Sequence, residues 1–438
     1  MPDVGSATVQ CDLPRPSGDA MNALTKSEAQ GLAESVPLSQ IDLSDATLFQ
    51  NDTVWPYLAR LRREDPVHYK EGGIQGNFWS VTRYKDIVAV DTNHQVFSSE
   101  SSLGGITIVD APMQMRRPSF ISMDPPIHDE QRKAVSPIVA PGNLAKLEAT
   151  IRSRAIAILD SLPIGETFDW VDKVSIELTT QMLATLFDFP FEDRRLLTYW
   201  SDIATSPPQD GNAEAWARRD AILHECLAYF TRLWNQRVNA DPGNDLISML
   251  AHAPATRNMT PQAFLGNLVL LIVGGNDTTR NSISGGLLFM HQNPDQYAKL
   301  RANRELIPSA VSEIIRYQTP LSHMRRTALV DTELGGKQIR KGDKVVMWYI
   351  SGNRDDEVIE NPDAFIIDRP RARQHLSFGF GIHRCVGNRL AEMQLQILWE
   401  EALKRFPTIE VVGEPQRVAS VFVHGFSSMS VRIPSRAA

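Results

Sequence analysis

Cysteine is scarce. The 438 residues hold three, Cys11, Cys226 and Cys385, and no CxxC pair. That excludes a disulfide framework, a zinc ribbon and a covalently attached c-type haem, and it fits a reducing, cytoplasmic setting. Long hydrophobic runs are absent too. The longest apolar stretch, Phe264–Val273 (FLGNLVLLIV), is about half the ~20 residues a membrane span needs and reads as a buried helix. The opening MPDVGSATVQ carries acid and no apolar core, so neither a signal peptide nor a membrane anchor is expected. Neither sign of charge dominates: Lys+Arg 45 stand against Asp+Glu 52, and the net −7 argues against a protein that coats nucleic acid. There is no P-loop. GFG at Gly379–Gly381 begins like a dinucleotide fingerprint, but Arg384 stands where the third Gly should be.

What is present is an ordinary globular composition, 42% hydrophobic and 22% charged. Residues 1–40 are rich in Ser, Pro, Gly and Asp and read as a flexible leader, with 41–438 as a single domain. Helical patterns fall at Arg83–Asp91, Leu144–Leu162, Ser175–Phe187, Ala213–Asn239 and Val386–Phe406, and strands at Phe78–Val81 and within Asp331–Ser351. The longest helix is expected over Thr260–Asn293, with Thr260 as N-cap, Pro261 in the first turn and Asn293-Pro294 as the stop. Ser101–Pro126 is a long apolar loop, a pattern typical of lids. The fold class is mostly α with small β-sheets.

Four constellations suggest chemistry. In FGFGIHRCVGNRLA (Phe378–Ala391), glycines flank Cys385 and allow backbone to approach a flat ligand, and a helix begins after it. A thiolate at a helix start is favoured by the dipole and the free N–H groups, and a thiolate is what metal ligation needs. Cys226 reads instead as a buried structural thiol. Gly274-Gly275-Asn276-Asp277-Thr278-Thr279 interrupts the longest helix with residues that weaken helices. Space beside the backbone is their merit, with Asp277 and Thr278 flanking the gap as an acid beside a hydroxyl able to relay protons. Glu313 and Arg316 share a helix face, and so do His128 and Arg132, a donor pair suited to carboxylates.

FGFGIHRCVG resembles the haem-binding signature of the cytochrome P450 monooxygenases, and the other constellations follow in order. The resemblance implies the cytochrome P450 fold, with haem b (iron protoporphyrin IX) between the long central helix and the Cys loop, Cys385 as thiolate ligand to the metal, and dioxygen as co-substrate. It places Phe378, Gly379 and Gly387 in the cofactor loop. It assigns the haem propionates to His128, Arg132, Arg326 and His383, with Arg326 preferred to its neighbour Arg325 from its distance to Asp331. It makes Glu313, Arg316 and Arg369 a structural network, and Asp277 and Thr278 the catalytic acid–alcohol pair. Val273, Gly274, Leu321, Phe422 and Val423 fall in pocket-lining segments, and these are apolar, with His323 or His424 the nearest to a charge. Leu271–Leu287 and Ser122–Arg132 are similar to the bacterial alkane hydroxylases (omega-hydroxylases, alkane 1-monooxygenase type) that attack the terminal methyl of medium-chain alkanes and fatty acids.

No flavin or dinucleotide fingerprint supplies electrons. The resemblance therefore implies a 2Fe-2S ferredoxin and an NAD(P)H-dependent ferredoxin reductase; Arg371, Arg373, Arg384 and Arg389, near Cys385 in sequence, offer a basic docking patch for an acidic ferredoxin. A terpenoid or steroid side-chain hydroxylase is the alternative within enzymes. A haem-binding sensor without turnover is the alternative outside them, opposed by the acid–alcohol pair.

Overall fold

A computed structural model describes residues 26–208 and 212–437. Helices carry the fold, and the longest, Pro261–Gln292, is its axis. Thr260 caps it, its hydroxyl accepting the Ala263 N–H at 3.2 Å, Pro261 sits in the first turn, and Asn293 ends it, as the capping signals require. Helices Glu177–Phe187, Arg195–Thr205, Ala213–Arg237, Ile307–Gln318 and Asn388–Arg405 pack around it. Its glycines set how closely. A Cβ on Gly285 would lie 2.1 Å from Gln318 Oε1, so the Ile307–Gln318 helix, which bears Glu313 and Arg316, packs directly on its backbone.

A five-stranded sheet lies to one side, in the order Val67–Gly73, Gly76–Val81, Lys344–Met347, Met324–Ala328, Phe97–Ser98. All neighbours are antiparallel except Gly76–Val81 beside Lys344–Met347. Strand alternation separates Arg325 from Arg326 onto opposite faces.

Two segments differ from the sequence reading. The stretch Lys26–Ser35, read as leader, is a helix whose Ala29 and Ala33 are buried against Trp55–Glu64, and Arg60 Nη1 donates to the carbonyls of Ala33 (2.6 Å) and Val36 (2.5 Å). Its face is built of alanines, too small to stand out as an apolar stripe. Residues 1–25, with Cys11, lie outside the described residues. The Ser101–Pro126 loop forms three short 3₁₀ turns and is pinned down. Lys344 Nζ holds Ile108 O and Asp110 Oδ2 at 3.0 and 2.7 Å, and Pro118 O sits where a Cβ on Gly266 would be. Among the described residues no helix is long and apolar enough to cross a membrane.

Candidate active site: a cysteine loop facing the central helix

The cysteine loop is shaped by two left-handed glycines. Gly379 and Gly381 have φ of 65° and 63°, and a Cβ on Gly381 would lie 2.5 Å from Asp91 O. Cys385 N–H donates to Phe378 O at 2.8 Å and closes the turn. Asp91, which sequence reasoning missed, anchors the loop. Its Oδ2 accepts from Phe380 N–H and Tyr349 O–H and its Oδ1 from Arg326 Nη2, each at 2.7 Å. No motif marks it, since it reads as one more polar residue at a helix end. Cys385 opens onto an internal cavity of about 440 Å³ that Phe378, Gly379 and Gly387 also line. Burial beneath the protein surface raises its thiol pKa, and the Gly387 N–H, Arg132 and Arg384 oppose that rise. The helix that follows starts at Asn388, two residues later than read from the sequence.

Basic groups gather beside the sulfur. Arg132 and Arg326 line the cavity with His383, whose ring packs edge-on at 4.5 Å against buried His128. Arg132 donates to Arg384 O. His383 Nε2 is 2.9 Å from Ser99 Oγ, and His128 Nδ1 is 2.7 Å from Asp129 Oδ1. The other nitrogens, His383 Nδ1 and His128 Nε2, are buried without a partner among the described residues. Burial, then Arg326, His128 and Arg132, push the His383 pKa down to about 2, so its ring is neutral. Arg325 turns the other way, to Asp110. A sulfur on the cavity wall, with orphaned imidazole nitrogens and two guanidinium groups beside it, fits a haem: Cys385 for its iron and the basic groups for its two propionates.

The central helix supplies the opposite wall and divides the acid–alcohol pair. A Cβ on Gly274 would meet nothing within 4 Å, whereas one on Gly275 would lie 2.7 Å from Leu183 Cδ2. Gly274 therefore makes space, and Gly275 serves packing. Thr278 lines the cavity, its hydroxyl donating to Gly274 O at 2.8 Å. Asp277 does not flank that gap. One residue along a helix is about 100° around it, and this turns Asp277 into a buried network. It accepts from Ser201 Oγ at 2.9 Å and Arg280 Nη2 at 2.6 Å, and Arg280 also holds Asp202 at 2.9 Å. Burial raises the Asp277 pKa to about 6, against the pull of Arg280 and with a push from Asp202. Arg280 lies three residues after Asp277, a spacing that was there to be read.

Val273, Leu321 and Phe422 line the cavity, and Val423 does not. Val423 pairs with Leu321 in a β-bridge, and extended backbone turns successive side chains to opposite faces. His323 lines the cavity, with its pKa lowered to about 3 by burial; Ile108 N–H donates to its Nε2. Buried His424 is lowered to about 4 and engages Gln318 O. Neither is charged. The wall nonetheless carries Arg116, Arg117 and Arg219, against the sequence expectation of an apolar lining.

Behind the cysteine loop, buried Glu313 takes Arg316 Nε and Nη2 at 2.8 Å and Arg369 Nε at 3.1 Å. Arg316 Nη1 donates to Asn353 O, and Asn353 Nδ2 to Ser377 Oγ just ahead of Phe378, so the triad is tied to the loop.

A cysteine sulfur placed across a cavity from a hydroxyl-bearing helical turn is the arrangement of haem-thiolate oxygenases. Residues 146–419 match the family model "Cytochrome P450". The chain belongs to the cytochrome P450 family, which binds haem through a cysteine thiolate and uses dioxygen. Among its relatives, a linalool 8-monooxygenase of Pseudomonas putida is 37% identical over 89% of this chain and 98% of its own length. A steroid C26-monooxygenase of Mycolicibacterium smegmatis is 34% identical over 90% and 93%. The solved cytochrome P450-153 from Novosphingobium aromaticivorans is 49% identical with a TM-score of 0.85, over 90% of this chain and 99% of that one.

Proposed function

We propose that this monooxygenase hydroxylates the terminal methyl of medium-chain aliphatic molecules, alkanes or fatty acids, in the cytoplasm. The carrying observation is the course of the cavity. It follows the central helix past Gly266, Val269, Leu270, Val273 and Gly274 to Thr278, beside the cysteine loop. An aliphatic chain laid along that wall with one end at Thr278 would present that end to the reacting centre. The 49% identity to the P450-153 structure and the resemblance of Leu271–Leu287 to terminal alkane hydroxylases support the same reading. The linalool and steroid relatives support a second reading, a branched terpenoid or sterol side chain. Product analysis on hexane to hexadecane, the matching fatty acids, linalool and a sterol separates the two. Terminal alcohols from the unbranched chains are expected, and turnover of linalool or sterol alone would overturn the proposal.

Bound through Cys385, the haem supplies dioxygen activation. The chain's own residues position and protonate. Thr278 presents a hydroxyl in the cavity, and Asp277, its pKa raised to about 6, lies in the buried Ser201–Arg280 network behind it, mostly ionised at neutral pH but able to exchange a proton close to it. With Thr278→Ala, product formed per NAD(P)H is expected to fall severalfold and hydrogen peroxide to rise. Unchanged coupling would remove Thr278 from the relay. Asp277 also marks stability. Its folded pKa of about 6 lies above the ordinary 3.8, so its contribution is full below about pH 4 and lost as pH rises through about 6. In thermal melts Asp277→Asn is expected to flatten the wild-type decline across that window.

Electrons are assigned to a 2Fe-2S ferredoxin and its NAD(P)H-dependent reductase. Arg371, Arg384 and Arg389 are exposed and form no ion pair among the described residues, which suits an acidic partner. Arg373 is instead engaged by Glu392 at 2.5 Å.

A further inference from the structure

The cavity wall holds no Asp, Glu or Lys among the described residues, yet it holds five arginines. Arg132 and Arg326 stand at the cysteine end, where the haem accounts for them. Arg116 is spent on loop carbonyls, those of Ala111, Ser101 and Ser102. Arg117 and Arg219 are of another kind. The backbone of Arg117 packs on Gly266, and its guanidinium pairs with Asp220. Arg219, one residue before Asp220 on the Ala213–Arg237 helix, lies over the Trp216 ring at 5.3 Å. Its Nε and Nη2 donate to Ile203 O and Ala204 O at 3.0 and 2.7 Å. Its Nη1 has no hydrogen-bond partner, and the side chain no ion pair, among the described residues. Burial and neighbouring Arg117 lower its pKa to about 10, which leaves it cationic at neutral pH.

A partly buried cation at the wall of an apolar cavity, held by two carbonyls and an aromatic ring and ion-paired to no carboxylate among the described residues, can take one more partner. An anion arriving with the ligand would compensate it, through a charge-assisted hydrogen bond. The central helix gives the span of the wall between the Arg117 backbone and Thr278. Gly266, against which Arg117 rests, and Thr278 are twelve residues apart on it. That is roughly 18 Å along the axis, long enough to hold an extended chain of a dozen carbons with its carboxylate.

We infer that Arg219, with Arg117 beside it, receives the carboxylate of a fatty-acid substrate whose opposite, methyl end lies at Thr278. Arg219 is thus a specificity-determining residue that favours fatty acids over alkanes. The inference rests on the chain-hydroxylase reading above and narrows it.

Binding to the haem-loaded enzyme, measured without turnover by spectral titration, tests it with three probes of equal length: dodecanoate, dodecanol and dodecane. Wild type is expected to bind dodecanoate more tightly than dodecanol. Arg219→Gln is expected to weaken dodecanoate roughly tenfold or more, the scale of a lost charge-assisted hydrogen bond, with dodecane changed less than about twofold. Arg219→Lys is expected to retain most of the preference. Added salt is expected to weaken dodecanoate in wild type more than in Arg219→Gln. Equal weakening of all three probes would overturn the proposal and reduce Arg219 to a cap on the carbonyls ending the Arg195–Thr205 helix; so would no change in any. The site of oxidation is read separately. Subterminal products with the dodecanoate effect intact would sink terminal hydroxylation and leave the Arg219 assignment standing. Terminal products without that effect would do the reverse.

Discussion

Cys385→Ala is expected to abolish substrate oxidation while leaving the protein folded. The loop does not depend on the sulfur for its shape. It is set by the Cys385 N–H to Phe378 O bond, the left-handed Gly379 and Gly381, and the grip of Asp91 on Phe380. The substitution removes the metal ligand and little else. Thermal melts within a few degrees of wild type, loss of the thiolate band in the carbon-monoxide difference spectrum, and product below detection are the expected set. Product formation at even a tenth of the wild-type rate would mean that Cys385 is not the ligand.

The second large effect is on stability. Glu313→Gln removes the one carboxylate shared by Arg316 and Arg369, all three buried. Stranding buried charge in this way costs about 3–5 kcal/mol. The glutamine is nearly isosteric, so the loss is electrostatic and not a cavity. Arg316 retains the carbonyls of Asn353 and Pro362, but among the described residues no other carboxylate pairs with either guanidinium. The sign with pH follows from Glu313 itself. Burial raises its pKa, but Arg316, the Ile366 N–H and Arg369 outweigh that and hold it below the ordinary 4.5. Its contribution is present above about pH 4.5 and is lost as pH falls through the lower folded value. Denaturant titrations should show the wild type losing stability on that acid limb and Glu313→Gln, already weaker, losing less. Haem retention is expected to fall in parallel, because the triad reaches the cysteine loop through Asn353 and Ser377. A variant as stable as wild type would show that the triad does not secure the loop.

Much of this site was legible from the chain because its chemistry lies in local spacing. The Cys385 loop, the Glu313–Arg316 turn and the Thr260 cap are each written within a few residues, and helical or turn geometry does the rest. The distance to Asp331 selects Arg326 over Arg325, and strand alternation then puts the two on opposite faces, Arg326 on the cavity and toward Asp91 and Arg325 toward Asp110. What failed was whatever depended on direction about an axis or on distant partners. Asp277 and Thr278 are neighbours in sequence but face different environments, 100° apart. Val423 was read with Phe422, and the backbone turned it away. Arg117 sat in view within the Ser101–Pro126 loop, but only the packing of Pro118 on Gly266 and the approach of the Ala213–Arg237 helix bring it and Arg219 to one wall. The alanine face of Lys26–Ser35 carried too little hydrophobicity to register.

Asp91 bears on how far this pocket can be redesigned. Its carboxylate takes a guanidinium N–H, a phenol O–H and an amide N–H from three segments remote in sequence. Each of those partners arrives as a donor. Asparagine, nearest to aspartate in shape, would turn an NH₂ toward at least one of them and set donor against donor. Exchange at position 91 alone therefore unmatches the set, and loss of the donor at 326 or 349 leaves Asp91 short of a partner. A mutagenesis library meant to broaden substrate range should keep the three fixed together and place its diversity at Val273, Gly274, Leu321 and Phe422, where the wall can change without loosening the cysteine loop.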